Sequence, residues 1–185
     1  MTVPTISALT KKTTVPLVAI LFLIGFASRL FPHPANFAPI GAIALFGALY
    51  LPRRLAIVLP LLAVFVSDLV IGFYSLPLMA AVYGSFVLTA LIGLTIRRRR
   101  SFGAVVLATL AGSALFFLVT NAAVWGFGTL YPHTGAGLGQ SYIMALPFFR
   151  NSLLGDFFYT GILVGGLEAL RLGKKRFLFK PEQAL

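Results

Sequence analysis

The sequence predicts an all-α integral membrane protein with six transmembrane helices, and three observations carry that prediction. Of 185 residues, 59% are hydrophobic and only 10% are charged, whereas a soluble domain carries roughly 25% charge. Mean hydropathy is +0.97. The apolar residues also fall into runs of membrane-crossing length, punctuated by Pro, Gly and clustered charge. A bilayer core of about 30 Å needs about 20 apolar residues per helix.

The first run, Val15–Phe31, follows Lys11 and Lys12 and resembles the hydrophobic region of a signal peptide. Arg29 and "FPHP" stand where a small-residue cleavage site belongs, so the segment reads as a retained helix. Pro39–Leu51 is short for a span. Either it draws in part of "PHPANFA", or that stretch is non-helical backbone dipping into the protein, which is tolerated only away from lipid. Leu55–Phe73, Leu78–Ile96, Phe102–Trp125 and Leu146–Leu170 complete the six. The division predicts an N-terminal tail over 1–13, a helical membrane domain over 14–172 and a basic C-terminal tail over 173–185.

Six spans place both termini on one side. Lys11, Lys12, Arg53, Arg54, Arg97–Arg100, Arg171, Lys174, Lys175, Arg176 and Lys180 then share that side, which is thirteen of the fifteen basic residues. Basic residues at helix ends mark the cytoplasmic face, so both termini are expected there. The net charge of +11 is accordingly a topology signal, and no nucleic-acid partner is expected. Anionic lipid suits the same residues. No cysteine is present, which excludes disulfides, thiolate ligands and cysteine nucleophiles.

With the inner-face residues set aside, few charges remain: Arg29, Asp68, Arg150 and Asp156. At about 1.5 Å per residue, Asp68 lies roughly 21 Å from Arg54, and Asp156 lies about 9 Å deeper than Arg150. All four are expected in the outer half, near Asn121 and Asn151. An ionised side chain at bilayer depth costs at least ~2.5–3.5 kcal/mol unless it is paired or faces water. The four therefore read as an ion-pair layer, as a ligand site, or as both. Arg150 and Asp156 are six apart, roughly 120° around a helix, so each needs a partner on another segment. Ser152, Asp156 and Tyr159 share one helix face, a candidate pocket wall.

The outward connections hold the other candidates. His33 lies between two prolines that hold "PHPANFAP" extended. The long Gly-rich stretch "GFGTLYPHTGAGLGQSY" carries Tyr131, His133 and Tyr142 and is expected to be a loop. Trp125, Tyr131 and Tyr142 also suit an interfacial aromatic belt. No carboxylate or thiol stands at ligand spacing from the histidines, so metal from protein groups alone is not expected. Ser141 lacks the "GxSxG" surroundings of a nucleophile. Ala44-xxx-Ala48, Ala104-xxx-Ala108-xxx-Gly112 and Gly161-xxx-Gly165 are expected to let helix backbones approach closely. No internal repeat is evident.

The stretches "HPANFAPIGAIALFGALY", "SDLVIGF", "VYGSF", "TNAAVWGFGTLYP" and "ALPFFRNSLLGDFFYTG" resemble a family of small bacterial inner-membrane proteins. That family is similar to the substrate-binding S-components of energy-coupling-factor vitamin transporters, and closest to the solitary cobalamin transporter type. The resemblance covers most of Arg29–Gly166. It implies an S-component-like bundle in the bacterial inner membrane that captures a vitamin, cobalamin or a related corrinoid, in an outward-facing cavity. No further cofactor is required.

The substrate-binding residues implied are His33, Asn36, Ala80, Tyr83, Tyr131, His133, Tyr142, Arg150, Asn151 and Asp156. Two departures bear on it. The first helix lacks the Ala-x-x-x-Ala motif through which S-components dock on a coupling module, so a solitary member is expected. Cobalamin-binding members ligate cobalt through a cysteine, a soft donor, which this chain lacks. Cobalt of a bound corrinoid would then lie near Ala80 or His33. Two other classes stay open: an intramembrane enzyme using His33, His133 and Asp156 as acid–base groups on a lipid-linked or vitamin substrate, and a structural membrane subunit.

Overall fold

The computed structural model describes residues 11–98 and 100–171. The expected tails fall largely outside them. Every regular element among the described residues is helical: α1 (Lys11–Leu30), α2 (Ile40–Tyr50), α3 (Arg53–Ile71), α4 (Leu76–Ile96), α5 (Phe102–Phe127) and α6 (Gly135–Thr160). α6 continues through a π-helical turn, Gly161–Gly165, and remains helical to Arg171. Five of the six helices are long and apolar enough to cross a membrane; α2, with 11 residues, is not. At 1.5 Å per residue it reaches only about 16 Å.

Two boundaries differ from the sequence reading. Residues 31–39 are non-helical, as the second reading of "PHPANFA" has it, but 31–36 are exposed and only 37–39 turn inward, so most of the stretch does not dip into the protein. The sixth helix starts at Gly135 rather than Leu146, which shrinks the expected long outer loop to Gly128–Thr134. Thr134 explains this start. Its side chain accepts from the Gly137 backbone N–H at 3.1 Å, a helix N-cap. Glycines at 135, 137 and 139 lower helix propensity and hid the helix from a hydropathy reading.

α2 is the centre of the molecule. Every residue of it except Gly41 is buried. It packs on α3, α4, α5 and α6, and its Ile43, Leu45, Phe46, Leu49 and Tyr50 belong to the largest buried cluster. Small residues set the spacing. A Cβ at Gly93 would lie 2.6 Å from Ala48 Cβ, one at Gly47 would lie 3.1 Å from Ala56 Cα, and one at Gly112 would lie 2.9 Å from Thr89. Ala44 and Ala48 are fully buried and Ala108 nearly so. In the third small-residue pair, Gly161 and Gly165, a Cβ at either would meet nothing within 4 Å, although the turn that carries them contacts α2.

The other helices form an arc around α2, running α1, α3, α4, α5, α6. α1 and α6 do not approach each other closely, and residues 31–39 bridge the gap at one end. Phe37 N–H donates to Pro34 O at 2.9 Å, closing a turn in which Asn36 has φ 64°. That left-handed position favours Gly or Asn. Asn151 on α6 donates to Ala35 O at 3.1 Å. Phe37 packs on Phe158 and Tyr159, over Gly155, where a Cβ would sit 3.2 Å from Phe37 Cα.

The opposite, arginine-rich end carries a second tie. The Tyr50 ring lies between two guanidinium groups, Arg100 at 4.8 Å and Arg171 at 4.9 Å from its centroid. Its hydroxyl donates to Glu168 Oε1 at 2.7 Å, and Glu168 pairs with Arg171 at 3.2 Å and Arg100 at 3.5 Å. This cluster joins the end of α2, the α4–α5 connection and the end of α6.

Candidate functional site

The chain forms a partly open cavity of about 340 Å³ at the end of α2 remote from Tyr50. The short helix creates it. Because α2 stops half-way along the bundle, the volume above its N-terminus is left to the outer ends of its neighbours and to residues 31–39. Ile40, Gly41 and Ala38 form the floor. Val64, Phe86, Phe116 and Val82 supply apolar wall, and Arg29, His33, Asn36, Tyr74, Thr89, Ser152 and Asp156 supply polar groups. Phe86 and Phe116 face each other, with ring centroids 5.2 Å apart.

Asp156 holds the centre. Pro39 precedes α2 and offers no side-chain cap, so the first backbone N–H groups of that helix need an acceptor from elsewhere. Asp156 reaches that end across the bundle, its carboxylate set against Gly41 and beside the Ala42 backbone N–H. Ser113 Oγ on α5 donates to Asp156 Oδ2 at 2.6 Å. Gly41 leaves room for the carboxylate here, because a Cβ would collide with it unless Asp156 shifted. Asp156 is nonetheless only partly buried, and as a lining residue it turns its remaining surface to the cavity.

Arg29 and Asp68 form the second polar feature. Arg29 Nη2 lies 2.8 Å from Asp68 Oδ1. Nη1 donates to Ser67 Oγ at 2.7 Å and to Val64 O at 3.0 Å. Tyr83 hydroxyl donates to Asp68 Oδ2 at 2.7 Å. The guanidinium is thus committed to α3, and the pair is neutral. Tyr74, in the connection between α3 and α4, lines the same rim. Burial, then the Asp68 charge, push its phenol up to about 12 against the opposing pull of Arg29, so it presents a neutral hydroxyl.

The expected residues separate into three groups. His33, Asn36 and Asp156 line the cavity. Tyr83 and Asn151 support it from behind, through Asp68 and Ala35. Ala80, Tyr131, His133, Tyr142 and Arg150 do not line it. Ala80 is exposed on α4. His133 Nε2 bonds Gly128 O at 3.1 Å, and Trp125 donates to Pro132 O at 3.0 Å, so both belong to the short outer turn. Tyr142 donates to Leu118 O at 3.0 Å, within the α5–α6 contact.

The four-charge layer resolves into one ion pair. Arg150 is exposed, and among the described residues neither it nor Asp156 makes a salt bridge. Asp156 instead takes its partners from a helix terminus and a serine, groups invisible to a count of charges. Thr89, Tyr74, Phe86, Phe116 and Gly41 carried no sequence signal separating them from ordinary packing residues. Ser152 was legible, through its spacing from Asp156.

No group of three or more His, Cys, Asp or Glu side chains among the described residues is placed to hold a metal ion. His33 is exposed, its Nδ1 2.8 Å from Phe31 O, and His133 is at the outer turn. Of the three acid–base candidates, His33 and Asp156 line the cavity and His133 does not. A family model described as a family of unknown function (DUF6580) matches residues 9–181. No curated protein and no solved structure matches the chain.

Proposed function

The chain belongs to that family of unknown function, and from its site we propose that it is a solute-binding membrane transporter of the S-component type. It takes a vitamin-scale molecule into the cavity above α2 from the outer face. The carrying observation is the cavity itself, built at the N-terminus of a buried half-length helix and lined by convergent polar groups on apolar walls. Small-molecule sites have this composition and run to roughly 300–1,000 Å³. Broken helices ending at a central cavity recur in transporters, because irregular backbone at membrane depth is tolerated only where protein or a cavity surrounds it.

In this reading α2 together with residues 31–39 completes a sixth crossing. The arginine-rich end is cytoplasmic, as are both termini, and the membrane is the bacterial inner membrane. Cobalamin or a related corrinoid is the substrate implied by the sequence resemblance. A cavity of about 340 Å³ sits at the small end of the range, and a corrin macrocycle with its amide arms needs the large end or more. The volume favours a smaller vitamin, unless residues 31–39 swing away from α6 to admit a corrinoid.

Equilibrium titration of the purified protein with cobalamin, cobinamide and a panel of smaller vitamins tests the reading. Saturable binding of one of them, followed by its uptake into proteoliposomes, is the expected outcome. Absence of binding across the panel removes the transporter reading, and binding of a small vitamin but no corrinoid removes cobalamin alone.

A further inference from the structure

We propose that the cavity selects a small organic cation, a protonated amine carried on a flat apolar or aromatic body, with Asp156 as its counter-ion. This deepens the transporter reading and rests on it. The argument is a charge count over the groups that line the cavity. Arg29 and Asp68 cancel at 2.8 Å, and the hydrogen bonds of Arg29 to Ser67 and Val64 hold its guanidinium on α3. An anionic ligand would have to share that guanidinium with Asp68. Tyr74, Thr89, Ser152 and Asn36 are uncharged donors and acceptors.

Asp156 is the remaining acid of the lining, which also holds His33 at its rim, and no cationic side chain is bound to Asp156 among the described residues. Its partners are the Ser113 hydroxyl and the N-terminus of α2. A helix terminus carries roughly +0.5 of an elementary charge, which leaves about half of the carboxylate charge uncompensated. The two donors also leave acceptor positions free, since a carboxylate has about four lone-pair sites, and the partly exposed surface of Asp156 faces the cavity. In many transporters a half-helix N-terminus meets an anionic substrate directly; here the protein supplies that anion, and the cavity sees the opposite sign.

The walls agree with the charge. Phe86 and Phe116, 5.2 Å apart, present aromatic surface to the same volume. Aromatic faces attract cations, by about 0.5–1 kcal/mol when exposed and about 2 or more when desolvated. Residues with both features, an acid and aromatic faces, recognise an ammonium group better than a bare metal ion, which asks for several oxygen ligands.

The test uses wild-type protein in detergent and three molecules of matched shape: 2-phenylethylammonium, 2-phenylethanol and 3-phenylpropionate. The ammonium is expected to bind at least tenfold more tightly than the other two, measured by titration and by thermal stabilisation. Asp156→Asn, which keeps the shape of the side chain, is expected to reduce the ammonium to the level of the alcohol. Equal or tighter binding of the alcohol or the carboxylate overturns the charge assignment while leaving a solute-binding cavity intact. Unchanged ammonium affinity in a folded Asp156→Asn also overturns it, as does equal stabilisation by sodium chloride alone. Failure of all three organic probes to bind overturns this inference and leaves the transporter reading to the vitamin titration.

Discussion

Arg29 and Asp68 show how a single residue is judged at membrane depth. Asp68 is almost fully buried and Arg29 is about four-fifths buried, so removing either leaves an uncompensated charge. Breaking such a pair typically costs about 3–5 kcal/mol, whereas replacing both partners by apolar residues is often neutral or better. Thermal unfolding should therefore show Arg29→Leu and Asp68→Leu each strongly destabilised, and the double substitution restored to within about 1–2 kcal/mol of wild type. Additive losses in the double variant would mean that the pair contributes beyond charge cancellation. Gly41 makes a complementary prediction. Gly41→Ala places a methyl group against the Asp156 carboxylate, so it should weaken ligand binding at least tenfold in the titration that scores the wild type. Unaltered affinity in Gly41→Ala would show that Asp156 can move without consequence.

At the scale of the element, α2 explains most of the architecture. A helix of 11 residues buried on all sides cannot reach both membrane faces, so its ends are fixed by different chemistry. At one end Asp156 stands against it; at the other Tyr50 is clamped between Arg100 and Arg171 and tied to Glu168. Tyr50→Phe keeps the ring and loses the hydrogen bond to a charged acceptor, a loss of about 1.5–3 kcal/mol. Tyr50→Leu loses the cation contacts as well and should unfold at a lower temperature than Tyr50→Phe. Identical unfolding temperatures for the two would assign all of the effect to the hydroxyl. The α2–α4 contact is tighter still. Gly93→Ala inserts a methyl group beside Ala48 and Leu45 and should cost about 1–3 kcal/mol as an overpacked core, read in the same unfolding experiment.

For the whole molecule, the exposed apolar surface and the topology are the properties that matter. Large apolar side chains stand exposed on all five long helices, among them Ile20, Leu69, Leu88, Leu118 and Phe158. In water such a surface would be an association site; in a bilayer it is the solvated face. α5 spans about 39 Å and α6 with its extension about 55 Å, both longer than a bilayer core of about 30 Å. Tilt, or emergence of the α5–α6 hairpin, accommodates the excess. Arg150 is 21 residues from Arg171, about 31 Å, so it stands one bilayer thickness above the arginine-rich end, where a long basic side chain can reach the headgroups. Because the chain has no cysteine, single-cysteine variants report topology without background. Thr134→Cys should react with a membrane-impermeant maleimide in intact cells, and Ser101→Cys should react only after the membrane is opened. The reverse pattern would invert the orientation.

By itself, the sequence determined that this is a helical protein with membrane-length apolar segments, and where most of them lie. Those properties follow from local composition: apolar length sets span, and basic clusters mark ends. It also singled out Arg29, Asp68, Arg150 and Asp156 as charges that need partners, but it did not foresee that Arg29 and Asp68 pair with each other and leave the other two without an ion pair among the described residues. The start of α6 was not legible, because its first turns are glycine-rich and its cap is a lone threonine. Nor were the partners of Asp156, which are a backbone N–H and a hydroxyl rather than a charge. Only the tertiary structure decided that α2 is a half-length helix with a cavity at its end, and that Phe86, Phe116, Tyr74 and Thr89 face that cavity. The physical reason is that hydropathy and charge are properties of segments, whereas a cavity is defined by which faces of distant helices converge, and that is set by packing.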